Sequence, residues 1–131
     1  MHEVQLLIGG HWRNSSERES FRVLDPATGE VVGQAQAASP EDASKAIEAA
    51  YEAFAVWSKE PPHLRGAILK RAAQLARSRA EELGRLLTLE QGKPLKEAVG
   101  EVLAAADALE YFGEEGWRII GDIFPPNRKG R

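Results

Sequence analysis

The feature that most constrains this chain is a single change of hydrophobic period near residue 38. Before it, short apolar runs are separated by glycine, proline and polar residues; after it, apolar residues return every three or four positions for some eighty residues. The first pattern suits strands and turns and the second suits helices with one apolar stripe. The expectation is therefore strands and turns over 1–37, helices over 39–120 and a tail over 121–131.

The strand part carries two turn signals. Gln5-Leu6-Leu7-Ile8 and His11-Trp12-Arg13 flank Gly9-Gly10, a pair that can take the positive φ of a tight hairpin. Phe21-Arg22-Val23-Leu24 and Val31-Val32-Gly33-Gln34-Ala35 flank Asp25-Pro26-Ala27-Thr28-Gly29. There proline presets φ early in the turn and glycine tolerates its exit, which predicts a second strand pair.

The helices are announced by their ends. Ser39-Pro40-Glu41-Asp42 offers a capping hydroxyl, a proline at the first helical position and two carboxylates facing the positive end of the helix dipole. The stripe Ala43, Ala46, Ile47, Ala50, Phe54, Trp57 then predicts one buried face up to about Ser58. Pro61-Pro62 ends that helix and starts the next, whose stripe is Leu64, Ile68, Ala72, Leu75, Ala76 and Ala80. It continues through Leu83, Leu86 and Leu87, as one helix or as two with a break near Ser78. Gly92 suits a left-handed C-terminal cap and Pro94 the start of a last helix, with the stripe Leu95, Ala98, Val99, Val102, Ala106, Leu109 and Phe112.

Composition excludes several classes of function. With 131 residues, 43% hydrophobic and 28% charged, the chain reads as one soluble globular domain or a large piece of one. A net charge of -3 offers nothing to nucleic acid or an anionic membrane, and the four-residue basic end Arg128-Lys129-Gly130-Arg131 does not change that. The longest apolar runs are about five residues against the roughly 20 that span a bilayer, and the first residues lack the pattern of a secretory signal. The expected location is cytoplasmic, with no nucleic-acid and no membrane partner.

Catalytic constellations are sparse. No cysteine is present, which removes thiol catalysis, disulfides and thiolate metal sites together. His2, His11 and His63 fall on separate elements without ligand spacing, so no metal site is expected. Glu97 with Glu101, and Asp107 with Glu110 and Glu114, share helix faces where paired carboxylates could act as acid and base. Solvated faces are the commoner outcome, and Glu114 before Arg118, like Glu41 before Lys45, suits a surface ion pair. Gly113, Gly116 and Gly121 lack the spacing of a dinucleotide loop and follow a helix rather than a strand.

Three motifs taken in order carry a family resemblance: Ile8-Gly9-Gly10-His11-Trp12, Asp25-Pro26-Ala27-Thr28-Gly29-Glu30 and Leu89-Glu90-Gln91-Gly92-Lys93-Pro94. Together they resemble the amino-terminal part of NAD(P)-dependent aldehyde dehydrogenases. The segment from Tyr111 to Asp122 is most similar to the succinate-semialdehyde dehydrogenase branch, and the resemblance runs from about Leu6 to Pro125. It implies an α/β fold, of which this segment is a short β-meander followed by three to four helices at the start of the cofactor-binding domain.

The resemblance also implies what these residues lack. The family's cysteine nucleophile, glutamate base, oxyanion asparagine and cofactor lysine match no position here, so no catalytic or cofactor-binding residue is assigned. Two look-alikes are set aside. Lys93 in Gly92-Lys93-Pro94 sits between helices as a cap residue, and Glu81-Glu82-Leu83-Gly84-Arg85 sits inside a helical stripe. What carries over locally is one wall of the aldehyde entrance tunnel, at Gly100 and Ala104, four apart on one helix face, where close packing is an equal reading. The resemblance implies NAD or NADP for the parent enzyme, with neither expected to bind this chain alone. The parent would oxidise an aldehyde such as succinate semialdehyde by thiolate attack, hydride transfer and hydrolysis. The alternative is a free non-catalytic module that associates with itself or with a longer chain, because helices built to cover a missing sheet leave Phe54, Trp57 and Leu109 seeking a partner. An unrelated small helical enzyme or binding domain has no feature in its favour.

Overall fold

The two glycines after Ile8 adopt φ of 60° and 80°, and between them the chain reverses. This computed structural model describes residues 2–121. The reversal pairs β2 (Leu6–Ile8) antiparallel with β3 (His11–Arg13). A second sheet contains β1 (His2–Val4), β4 (Ser20–Leu24) and β5 (Val31–Gln36) in the order β1-β5-β4. β4 and β5 are antiparallel with a bulge between Val23 and Leu24, whereas β1 lies parallel to β5. That parallel pairing is not signalled in the sequence, because its partner is some thirty residues away.

The turn between β4 and β5 is held by its own side chains. The Asp25 Oδ1 accepts from the Ala27 N–H at 2.8 Å and the Asp25 carbonyl from the Gly29 N–H at 2.7 Å, with Gly29 at φ 75°. This is the local competition between Asp and backbone that favours turns.

Four helices follow: α1 (Pro40–Trp57), α2 (Pro62–Ser78), α3 (Ala80–Gln91) and α4 (Leu95–Glu115). The stripe through Ser78 is broken at one residue, Arg79, with φ -116° and ψ 17°. The Ser78 hydroxyl donates to the Leu75 carbonyl at 2.9 Å, the kind of back-bond that bends helices. Gly92 closes α3 in the left-handed region at φ 73°, its N–H donating to Thr88 O at 2.8 Å.

The start of α1 is fixed by more than its cap. Ser39 and Asp42 form a reciprocal capping box. The same Asp42 Oδ2 also accepts from the Ser16 N–H at 3.0 Å, the Ser16 hydroxyl at 3.2 Å and the Ser15 hydroxyl at 3.3 Å. Ser15, Ser39 and Asp42 are all buried. Hydrogen bonding, first from the Ser16 N–H and then from the Ser39 N–H, holds the Asp42 carboxyl at about 2, down from 3.8.

Helices α2 and α3 lie along α4 in the opposite direction. Gly66 meets Gly113 so closely that a Cβ on Gly66 would stand 2.2 Å from the Gly113 carbonyl oxygen, and a Cβ on Gly84 would stand 2.6 Å from Val99 Cγ2. The buried residues of this layer are small: Gly66, Ala73, Ala80, Gly84, Ala98, Ala106 and Gly113. Ion pairs flank it, with Lys70 to Glu114 at 3.0 Å and Arg77 to Asp107 and Glu110 at 2.7 and 2.6 Å.

The larger apolar side chains take no part in that core. Ile47, Phe54 and Trp57 are 72%, 63% and 43% exposed, so the face of α1 expected to be buried is open. Leu64, Ile68, Leu75 and Phe112 are likewise exposed, while Leu109 is half-buried. The accessible surface is 10399 Å². A compact monomer of 14.4 kDa would expose about 6,800 Å². The helices have thus found one partner face and present another.

Candidate functional site

Gly100 and Ala104 lie one turn apart on α4, and both are exposed. At about 100° per residue they fall on the side opposite Ala98, Ala106 and Gly113, which pack toward α2 and α3. A Cβ added to Gly100 would meet nothing within 4 Å. Within the described chain neither residue is a close-packing position; that role belongs to Ala98 and Ala106, both 0% exposed.

Tyr111 continues the same row, two turns beyond Ala104, and was not singled out by the sequence. It stands edge-on to Phe112 with ring centroids 5.4 Å apart, and the Arg118 guanidinium lies 5.9 Å from its ring centroid. The row is an exposed strip with small side chains at Gly100 and Ala104 and an aromatic at Tyr111.

The carboxylates nearby are committed elsewhere. Asp107 and Glu110 both accept from Arg77, and Glu114 accepts from Lys70 rather than from Arg118 as the i, i+4 spacing suggested. Arg118 instead pairs with Glu115, through Nε at 2.8 Å, and this pairing lowers the Glu115 pKa and raises that of Arg118. The Glu41 to Lys45 pair forms as its spacing suggests, at 2.5 Å. Lys93 is paired with Glu101, and Gly84 sits inside α3 against Val99, so both look-alike motifs have structural places. Among the described residues no group of three or more His, Asp or Glu is placed to hold a metal ion.

A dinucleotide phosphate is commonly held where a strand runs into a helix N-terminus. Here β5 runs into α1, and the N-terminus of α1 already holds the Asp42 carboxylate of this chain. A second anion there would meet a buried negative charge, so this junction does not fit the phosphates of NAD or NADP. No helix of the described residues is long and apolar enough to cross a membrane.

The order of elements, short strands and then helices that pair one face and present the other, places the chain in the α/β class. The match that defines its kinship is to the aldehyde dehydrogenase family, over residues 12–131, and the chain belongs to that family. It is 45% identical over 128 residues to the mitochondrial succinate-semialdehyde dehydrogenase of Arabidopsis thaliana, covering 98% of this chain and 24% of that protein. It is 40% identical to the NADP(+) succinate-semialdehyde dehydrogenase of Escherichia coli, covering 92% and 25%. A crystal structure of succinate-semialdehyde dehydrogenase from Burkholderia pseudomallei superposes with a TM-score of 0.92 at 42% identity, covering 95% of this chain and 26% of that one. The chain therefore spans about a quarter of the length of these relatives.

Proposed function

We propose that these residues are the N-terminal part of the cofactor-binding domain of an NAD(P)-dependent aldehyde dehydrogenase that oxidises succinate semialdehyde to its acid. The observation that carries this reading is the asymmetry of coverage, nearly all of this chain against a quarter of the Arabidopsis relative. The names of the plant, Escherichia coli and Burkholderia relatives support the substrate, and that of the Escherichia coli enzyme supports NADP as one cofactor of the parent. In the parent, Gly100 and Ala104 form a wall of the aldehyde entrance tunnel, where their small side chains leave room for the substrate. The exposure of both residues on α4, with nothing within 4 Å of a Cβ on Gly100, supports that role.

Alone, this chain supplies the wall and not the reaction. It contains no cysteine to act as nucleophile, and its strand-to-helix junction does not suit the dinucleotide. The test is the intact mass of the native product, detected with an antibody raised against residues 40–120, together with an assay of the pure chain. A product about four times longer that reduces NAD(P)⁺ with succinate semialdehyde, beside an inactive 131-residue chain, is expected. Turnover by the pure short chain would overturn the reading.

A second reading is favoured by the open face of α1. A free 14.4 kDa product would act through association with itself or with a longer chain, seated on Ile47, Phe54 and Trp57. A native product of that mass would select it.

A further inference from the structure

Beside the Gly66–Gly113 contact, where the first turn of α2 meets the last turn of α4, lies a hollow of about 280 Å³. Trp57, Leu69, Phe112 and Ile119 form apolar walls, and Arg65 and Glu115 are the charged residues in its lining. Trp57 and Phe112 are exposed. Among the described residues Arg65 makes no ion pair, and its Nε is buried without a hydrogen-bond partner. Glu115, the carboxylate within the hollow, is committed to Arg118.

We propose that this hollow receives an aspartate or glutamate side chain from the remainder of the parent chain, with Arg65 as its receptor. The inference rests on the parent reading above and adds the chemistry of one contact. The relatives extend over about four times this length, so most of the parent lies outside these residues. The chain exposes more surface than the roughly 6,800 Å² of a compact monomer of its mass, as a part that shares an interface with a remainder would. A patch holding Trp57, Phe112 and Ile119 is the kind of surface such an interface covers.

Covering that patch also covers Arg65. A guanidinium keeps its charge under any cover, and a buried charge left unpaired is strongly destabilising. An apolar occupant would leave the cation alone, and a lysine or arginine would repel it. A carboxylate matches both the charge and the planar fork of the guanidinium, while the flanking residues of the incoming segment meet the aromatic walls. With Nε buried, the incoming acid engages the terminal nitrogens.

The experiment is the structure of the complete parent enzyme isolated from its source, together with its Arg65→Gln and Arg65→Glu variants. A carboxylate oxygen from beyond residue 131, within about 3 Å of an Arg65 terminal nitrogen, is the expected result. Arg65→Gln is expected to shift the folding equilibrium toward the unfolded state on the order of a hundredfold. Replacing the partner acid by lysine in the Arg65→Glu background is expected to recover folded protein that Arg65→Glu alone loses. If the variants do not fold, the native structure still decides. A backbone carbonyl at Arg65, water alone, or Glu115 turned from Arg118 to Arg65 would overturn the inference and leave the parent reading standing. A native product of only 14.4 kDa would overturn the parent reading itself.

Discussion

The ring of Pro26 lies against Gly92, so close that a Cβ on Gly92 would stand 2.8 Å from Pro26 Cγ. This contact joins the turn between β4 and β5 to the C-terminal cap of α3, two of the sequence motifs that carry the family resemblance. Glycine is required twice at this point, for φ 73° and for the space Pro26 occupies. Gly92→Ala is expected to destabilise the chain by about 2 kcal/mol, combining left-handed strain with the clash. In a double-mutant cycle read by urea unfolding, Pro26→Ala should recover the clash and leave the strain, so the two costs are not additive. Strict additivity would show that the contact contributes nothing.

Two glycines in the helical layer should respond to alanine with opposite signs. At Gly66 the new Cβ would meet the Gly113 carbonyl oxygen at 2.2 Å, and backbone cannot yield as a flexible side chain does. The gain in helix propensity, about 1 kcal/mol, is then outweighed by separating α2 from α4, for a net loss of about 1–3 kcal/mol. At Gly100 nothing lies within 4 Å, so Gly100→Ala should stabilise by up to about 1 kcal/mol. Thermal unfolding followed by helical circular dichroism checks both, and shifts of the same sign would contradict the packing described.

Local structure was legible in the sequence because its causes are local. The hairpin at Gly9-Gly10, the turn from Asp25 to Gly29, the Ser39 cap and the Gly92 cap each follow from backbone preferences of the residues that form them. Packing partners were not legible. Periodicity marks Ile47, Phe54 and Trp57 as an apolar face but cannot say what stands opposite, and among the described residues Ile47 and Phe54 stay open to solvent while Trp57 reaches only the edge of the α2/α4 hollow. The face that packs, Gly66, Ala73 and Ala80 at intervals of seven against Ala106 and Gly113, is made of small side chains that barely register in a hydrophobic pattern. Glu114 likewise had a good i, i+4 partner in Arg118, yet Lys70 on the facing helix takes it. Gly100 and Ala104 were recognisable as small residues sharing a face; that the face is open is a tertiary fact.

The junction of loop and helix at Asp42 makes the stability of the fold depend on acid pH. Its folded pKa, about 2, lies below the ordinary 3.8, so the folded state favours the carboxylate. The stabilisation is complete above the unfolded value near 3.8 and is lost as pH falls through about 2. Asp42→Asn should therefore be less stable than the wild type at neutral pH, and the gap should narrow between those two values. Urea unfolding at a series of pH values checks this, and a gap unchanged down to pH 2 would remove Asp42 as its cause. Ser39→Ala removes the hydroxyl that caps the Asp42 N–H and should cost about 1 kcal/mol at neutral pH.

The open side of α1 leads to an expectation about the isolated chain. Ile47, Tyr51 and Phe54 recur at i, i+4 and i+7 and are 72%, 78% and 63% exposed, so one flank of the helix is a continuous apolar strip. Water next to such a strip is released when two strips meet, a gain of about 25 cal/mol for each Å² of apolar surface covered. Even a modest overlap then offsets part of the rotational and translational cost of pairing, and the associated fraction grows with protein concentration by mass action. The sedimentation coefficient of the chain should therefore rise with concentration. Phe54→Ser and Ile47→Ser, which touch neither the α2/α4 layer nor the Asp42 junction, should hold it nearer the monomer value while leaving the helical signal intact. If these substitutions leave association unchanged, the strip is not the surface through which copies meet, and the exposed residues of α2 and α4 become the place to look.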